Sequence, residues 1–399
     1  MTRRLIYLCL VVLFFTACSN REKPTDRIIN RQYKTEILES KKLLRDFLFT
    51  TFTPGLSVSV SYNNEIIWSE GLGLASKELN APVSRGTKFR IGTTTYVFTA
   101  ALLAKLHYQG LLNIDSSLYA YIPNYPLLKH DFSLRMLGVC SAGFRPTRTT
   151  DLQQYNVLRT LKEYVSTFEN DELSYEPDTY FAMSDFGVSL LGIVAEQVTQ
   201  NNYDKLLNEK IIEPLALKNT LFDNATMITP QRSDFYSVDY IARLVNAPAM
   251  NFSALQPVHG LLSTADDLNY FAQQLLQPGF FTIKELTLFS QKHKLKNGVE
   301  IGRSFGWHVI DDNNMPKIIA SIGNTIGGSS AVVIYPDQKL VVTVCSNKAE
   351  ELSELPANNI AKLFLKKLQM QADEKAIDEA NEAEESAVEE QIEEFFDGE

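Results

Sequence analysis

Gly55-Leu56-Ser57-Val58-Ser59-Val60-Ser61-Tyr62-Asn63-Asn64 is the stretch from which the fold is read. Apolar and hydroxyl side chains alternate with period two, the pattern of a strand with one face in a core and the other toward water. Asn63-Asn64 supplies turn residues, so residues 65–69 are expected to return as the second arm of a hairpin. Near the other end of the chain, residues 331–335 and 340–345 are β-branched runs joined by Pro336-Asp337-Gln338-Lys339, again a hairpin signal. Helical periodicity flanks these strands. Ile37, Leu44 and Leu48 share a face before the first, and a helix opening near Pro356 carries Ile360, Leu363, Phe364 and Leu368 after the last. The long middle is mainly helical, with loops rich in Pro, Asn and Asp. Strands at both ends with helices between them predict an α+β domain in which N- and C-terminal segments share one antiparallel sheet.

Outward from this core, the first residues have a different character. Arg3 and Arg4 precede an apolar run over residues 5–15, closed by Phe15-Thr16-Ala17-Cys18. A basic region, a short apolar region and small residues before a cysteine describe a secretory signal. Eleven apolar residues are too few to span a hydrocarbon core of roughly 30 Å. The cysteine resembles that of the bacterial lipobox, which implies cleavage after residue 17 and lipidation of Cys18, with membrane lipid as a partner and the domain held at the cell envelope. Residues 18–31, polar and unpatterned, read as a tether, 32–370 as the domain and 371–399 as a tail.

That tail holds thirteen carboxylates and a single base, Lys375, and accounts for the formal charge of −10. It is expected to be a solvated extension or a charged helix. The remainder is close to neutral, which gives no basic surface for nucleic acid. With Cys9 in the signal and Cys18 carrying lipid, only Cys140 and Cys345 stay in the folded body. Neither belongs to a C-x-x-C pair or lies near a histidine in sequence, so no disulfide framework and no metal site is expected, and both read as small buried hydrophobes. No cofactor is implied.

Several segments, in order, resemble the serine β-lactamase and penicillin-binding-protein family, in particular its class C β-lactamase branch with D,D-peptidase and esterase relatives. Gly71-Leu72-Gly73-Leu74-Ala75 and Thr87-Lys88-Phe89-Arg90-Ile91-Gly92 match the approach to that family's nucleophile. Ser133-Leu134-Arg135-Met136-Leu137, running on to Ser141-Ala142-Gly143, has the frame of its "T-I-R-H-L-L-T-H-T-S-G" segment. Glu213-Pro214-Leu215 and Gly260-Leu261-Leu262-Ser263-Thr264-Ala265 follow in register, then Phe305-Gly306-Trp307 and the closing hairpin. The resemblance covers residues from about Pro54 to Leu368.

It implies chemistry at three motifs, and this chain departs from each. In the family a serine opening a helix attacks the acyl carbonyl, and a lysine one turn later influences its proton. The expected G-S-x-S-K-x-F-T-A is here Gly92-Thr93-Thr94-Thr95-Tyr96-Val97-Phe98-Thr99-Ala100, so Thr93 stands for serine and Tyr96 for lysine. A phenol with a reference pKa near 10 is a poor base at neutral pH. At the family's Y-x-N, Met183 replaces tyrosine and Asp185 the asparagine. A thioether has no proton to move, and Asp185 with Ser184 is expected to cap the following helix. At K-T-G or H-T-G stand Ser321-Ile322-Gly323, of which only Gly323 is kept, as close backbone approach requires.

The parts of a catalytic unit act non-additively, so their joint replacement is expected to abolish ordinary acylation. The leading expectation is therefore a non-catalytic family member that binds a cell-wall-related ligand or an envelope protein. The alternative is a divergent hydrolase using Thr93 with a displaced base, for which His259 is the candidate.

Overall fold

The computed structural model describes residues 26–126, 129–148, 151–152, 157–312, 315–349 and 355–397, with side chains to residue 382 in the last segment. The segment expected to be a secretory signal, and Cys18, lie outside the described residues.

One antiparallel sheet organises the chain. Its strands are β1 (Ile28–Ile29), β2 (Gly55–Tyr62), β3 (Glu65–Ser76), β4 (Ala81–Pro82) and, beyond the middle region, β10 (His308–Asp312), β11 (Met315–Thr325), β12 (Gly328–Tyr335) and β13 (Leu340–Ser346). The order is β1-β3-β2-β13-β12-β11-β10, with β4 paired to β3. N- and C-terminal segments meet where β2 pairs β13, with Val58 opposite Val344 and Val60 opposite Val342. Asn63 and Asn64 both take positive φ in the tight turn between β2 and β3, a conformation that asparagine tolerates better than most residues. A smaller sheet joins β5 (Phe89–Arg90), β9 (Leu261–Ser263) and β6 (Leu221–Phe222), and β7 (Tyr236–Val238) pairs β8 (Leu244–Asn246) as a separate hairpin.

Two apolar cores sandwich the large sheet. On one face, Leu56, Val58, Val60, Val342 and Val344 pack against helices α1 (Lys34–Thr50) and, from the far end of the chain, a helix spanning Ala357–Asp397, whose Phe364 stacks near Trp68 and Tyr33. On the other face lies the larger core, built around α2 (Thr95–Tyr108), nearly all of whose side chains are buried. A helix this apolar on every side belongs inside a domain.

The serine side of β2 differs from its expected exposure. Ser57, Ser59 and Ser61 are fully buried, because a helix spanning Ala265–Gln273 lies across that face. Asn269 Nδ2 donates to the carbonyl oxygens of Ser59 (3.0 Å) and Val341 (3.2 Å), and Thr343 Oγ1 donates to the Ala265 carbonyl (2.7 Å). Alternation therefore marks small residues against a covering helix here, not a wet face. Two residues read as tether, Ile28 and Ile29, pair with Ser69 and Trp68 as an edge strand. The acidic tail to Asp397 continues the last helix without a break. Among the described residues no helix is long and apolar enough to cross a membrane.

Candidate functional site

The site begins where β5 ends. Gly92 takes a positive φ of 56° and opens a single 3-10 turn, Gly92–Thr94, that leads into α2. This turn is pressed against β11. A Cβ on Gly323 would stand 2.1 Å from the Ile91 carbonyl oxygen, and one on Gly92 would stand 2.6 Å from the backbone of Asn324. Both glycines are thus required by close approach, as the sequence implied for Gly323. Thr94, behind the turn, is fully buried and exchanges hydroxyl contacts with Ser330 (2.8 Å) and Ser321 (3.3 Å).

Thr93 lines a cleft of about 820 Å³, and its hydroxyl makes only a long contact, 3.4 Å, to the Ile322 carbonyl. The walls are mainly apolar, with Leu152, Tyr180, Phe181, Met183, Val238, Val245, Pro248 and Ile326 around Thr93, Asp185 and His259. Arg148 and Asp239 bring charge to it. A volume of this size suits a small-molecule ligand or a short peptide segment.

The motif positions do not all converge on this space. Tyr96, one helical turn beyond Thr93, is buried, its phenol donates to the Gly138 carbonyl, and it does not line the cleft. Burial raises its pKa well above that of a free phenol; the Cys140 sulfur adds to the rise and the Arg303 guanidinium opposes it. The Arg303 guanidinium would favour the phenolate, but desolvation outweighs it. Ser321 is likewise buried behind the turn and does not line the cleft. Met183 does line it, with Sδ 3.5 Å from Cys140 Sγ.

Asp185 does not cap its helix. It is the first residue of the helix spanning Asp185–Thr199, and Ser184 holds the N-cap position without a side-chain capping bond. The Asp185 carboxylate instead turns to His259, whose Nε2 lies 2.9 Å from Oδ2. Both side chains are nearly inaccessible, and His259 Nδ1 has no partner. A ring N–H at Nε2 is placed to donate to the carboxylate, and Nδ1 then faces no partner. His259 stands immediately before Gly260 and β9, which the backbone ties to the turn that carries Thr93 through Ile91 N to Leu261 O, 3.3 Å. Both residues line the same cleft as Thr93.

Two residues behind the cleft had no signal in the sequence. Arg303, buried to 3% exposure, reaches His308 Nε2 at 2.6 Å and places Nη2 3.6 Å from Cys140 Sγ and 3.9 Å from Met183 Sδ. Burial and the adjacent guanidinium push the His308 pKa down to about 3, so that ring is neutral. Among the described residues no cluster of three or more His, Cys, Asp or Glu is placed to hold a metal ion.

Residues 41–366 match the beta-lactamase family model. The chain belongs to the beta-lactamase family. The relatives are distant. The protein Flp of Staphylococcus aureus strain MW2 is 23% identical over 308 residues, covering 75% of this chain and 60% of Flp. The chain therefore spans about 60% of the length of the curated relatives it matches. Among solved structures, the octameric penicillin-binding protein homologue of Pyrococcus abyssi aligns with a TM-score of 0.73 at 19% identity, covering 84% of this chain and 77% of that one. A class C beta-lactamase aligns at 0.69 and 16% identity, covering 84% and 96%. At these identities the structural likeness establishes the fold, in agreement with the antiparallel sheet and helices expected from the sequence.

Proposed function

We propose that this beta-lactamase family member is a lipid-anchored cell-envelope protein whose cleft binds a ligand without the lysine-assisted acylation of its relatives. The observation that carries this reading is the position of Tyr96. The residue at the lysine position is withdrawn from the cleft, hydrogen-bonded to Gly138 and held protonated by burial. Met183 and Ser321 offer no base in its place, while the cleft itself stays open at about 820 Å³. Retained space with altered chemistry favours recognition of a cell-wall-related ligand or an envelope protein over turnover.

The test is exposure of the purified protein to a fluorescent penicillin and a fluorophosphonate probe. Neither should label it, and stoichiometric labelling at Thr93 would refute the reading. Anchoring through Cys18 is tested separately, by incorporation of a tagged fatty acid that disappears in Cys18→Ala; incorporation unchanged in that variant would remove the anchor.

A second reading is favoured by the Asp185–His259 contact. An imidazole oriented by a carboxylate, with its other nitrogen unpartnered, is the arrangement that activates hydroxyl nucleophiles elsewhere. Under that reading Thr93 is the nucleophile of a divergent hydrolase. Ester turnover lost in both Thr93→Ala and His259→Ala supports it, and turnover surviving both variants rejects it.

A further inference from the structure

Helix α1 buries Ile37, Leu44 and Phe47 against the sheet, and its outward side is sorted by charge. Leu38, Lys42, Arg45 and Phe49 follow at spacings of four, three and four residues, so they form one stripe along the helix. Leu38 is 56% and Phe49 82% exposed. Phe52, three residues on, carries the stripe past the helix end. It is 67% exposed with a φ of 55°, a left-handed conformation that usually falls to glycine or asparagine at a helix C-terminus. Arg31 and Lys34, both exposed, precede Leu38 at the same spacings. At about 100° per residue, the acids of the helix, Glu36, Glu39 and Asp46, fall on the other side of Lys42. Among the described residues the ion pairs of this region are Lys41 and Arg27 with Glu70, and Arg85 with Asp26 and Asp266. The bases of the stripe therefore have no acid partner.

The chain enters the domain on the flank of this stripe. Lys41 adjoins it on the side away from Glu39 and Asp46 and meets Glu70 of β3 at 2.8 Å, and the same carboxylate lies 3.8 Å from Arg27, just before β1. About ten residues join Ile28 to Cys18, and extended they reach at most about 35 Å. An acylated Cys18 thus keeps α1 close to the bilayer. The last helix packs beside α1 through Phe364 and Tyr33, and over residues 357–370 it carries Lys362, Lys366 and Lys367 and no acid.

We infer that this face of α1 lies on a bilayer containing anionic lipid, with Phe49 and Phe52 in the boundary between headgroups and acyl chains and Lys42 and Arg45 against lipid phosphates. Aromatic side chains at the interface and bases beside them are what seats a helix on such a surface. The whole chain carries −10, so its attraction to an anionic surface has to be local. None of the residues lining the Thr93 cleft belongs to α1 or β1, so a domain seated in this way leaves the cleft open. The closeness to the membrane rests on the anchor proposed above, and protein without the acyl group tests the two apart.

The experiment uses residues 19–399, which contain every described residue and lack the lipid-bearing cysteine. Partition onto vesicles of phosphatidylcholine and phosphatidylglycerol at roughly 7:3, measured by cosedimentation, should exceed that onto phosphatidylcholine alone by about tenfold or more. Lys42→Glu with Arg45→Glu should weaken binding to the mixed vesicles by roughly tenfold or more, and Phe49→Ser with Phe52→Ser by roughly tenfold. Lys205→Glu with Lys284→Glu, on other helices, changes the net charge equally and should leave binding within about twofold. All these side chains are exposed, and circular dichroism checks that the variants fold. No binding, equal binding to the two vesicle types, or an equal loss in the Lys205 and Lys284 pair overturns the inference. Binding that soluble polyphosphate competes away and that the phenylalanine pair leaves unchanged also overturns it, and assigns the stripe to a soluble polyanion. The contrast between the two vesicle types needs no variant.

Discussion

His259 Nε2 and Asp185 Oδ2, contributed by residues 74 apart in sequence, meet at 2.9 Å beneath the cleft that Thr93 lines. The contact joins the position of the family's asparagine to a histidine that stands beside a family-like glycine. It converts two separate departures from the family pattern into one interacting unit. Whether the unit binds or reacts, its members should depend on each other.

Removing the imidazole leaves a buried carboxylate without the hydrogen bond it receives from the ring. His259→Ala is expected to lower stability by about 3 kcal/mol, while Asp185→Asn, which keeps an acceptor for the ring, should cost about 1 kcal/mol. Urea unfolding of the two single variants and the double variant should give a coupling energy of at least about 1 kcal/mol. Additive losses would mean that the contact contributes nothing.

Restoring single motif residues should not restore acylation. Thr93→Ser returns the family's nucleophile but leaves Tyr96 protonated and bonded to Gly138. Fluorescent penicillin is therefore expected to leave Thr93→Ser as unlabelled as the wild type. A labelled serine at position 93 would show that a base other than residue 96 is at work.

Gly323 and Gly110 separate crowding from backbone strain. Gly110 has a φ of 76° and open space around it, whereas a side chain on Gly323 would collide with Ile91 and Thr94. Gly110→Ala should cost about 1 kcal/mol. Gly323→Ala should cost about 3 kcal/mol or more and should distort the turn that carries Thr93. Thermal unfolding of the two variants checks the order, which would be reversed if the close approach at Gly323 were relaxed in solution.

His308 predicts a pH dependence of defined sign. Its folded pKa lies near 3 against an ordinary 6.5, so between these values the unfolded chain binds the extra proton. Stability should then rise with pH across that window and fall on acidification, by up to about 1.4 kcal/mol per pH unit for one proton. Urea midpoints measured from about pH 3 to pH 6.5 should show this slope in the wild type and lose that part of it in His308→Gln. An identical slope in both proteins would assign the dependence to other groups.

Much of the fold was legible because its signals are local. The alternation at residues 56–62, the Asn63-Asn64 turn and the proline at the start of the last helix each act over a few neighbours, and all appear as expected. The covered serine face was not legible, since nothing in β2 announces a helix whose sequence lies two hundred residues away. The site divides in the same way. The changed motif residues could be named one by one, and the need for glycine at 323 followed from the family frame. Their directions could not. Tyr96 turns from the cleft because a carbonyl at Gly138 receives it, and Asp185 leaves its helix end because His259 is within reach. Arg303 gave no sign, because a buried guanidinium looks in sequence like any surface arginine.

Arg303 also bears on which side chain position 96 can hold. Its charge is near enough for the phenol at position 96 to feel it. A lysine at position 96 would bring a second cation beside Arg303, whose described side-chain contacts are His308, Cys140 and Met183. Repulsion between the two cations should therefore disfavour the family's lysine at position 96 unless residue 303 changes with it.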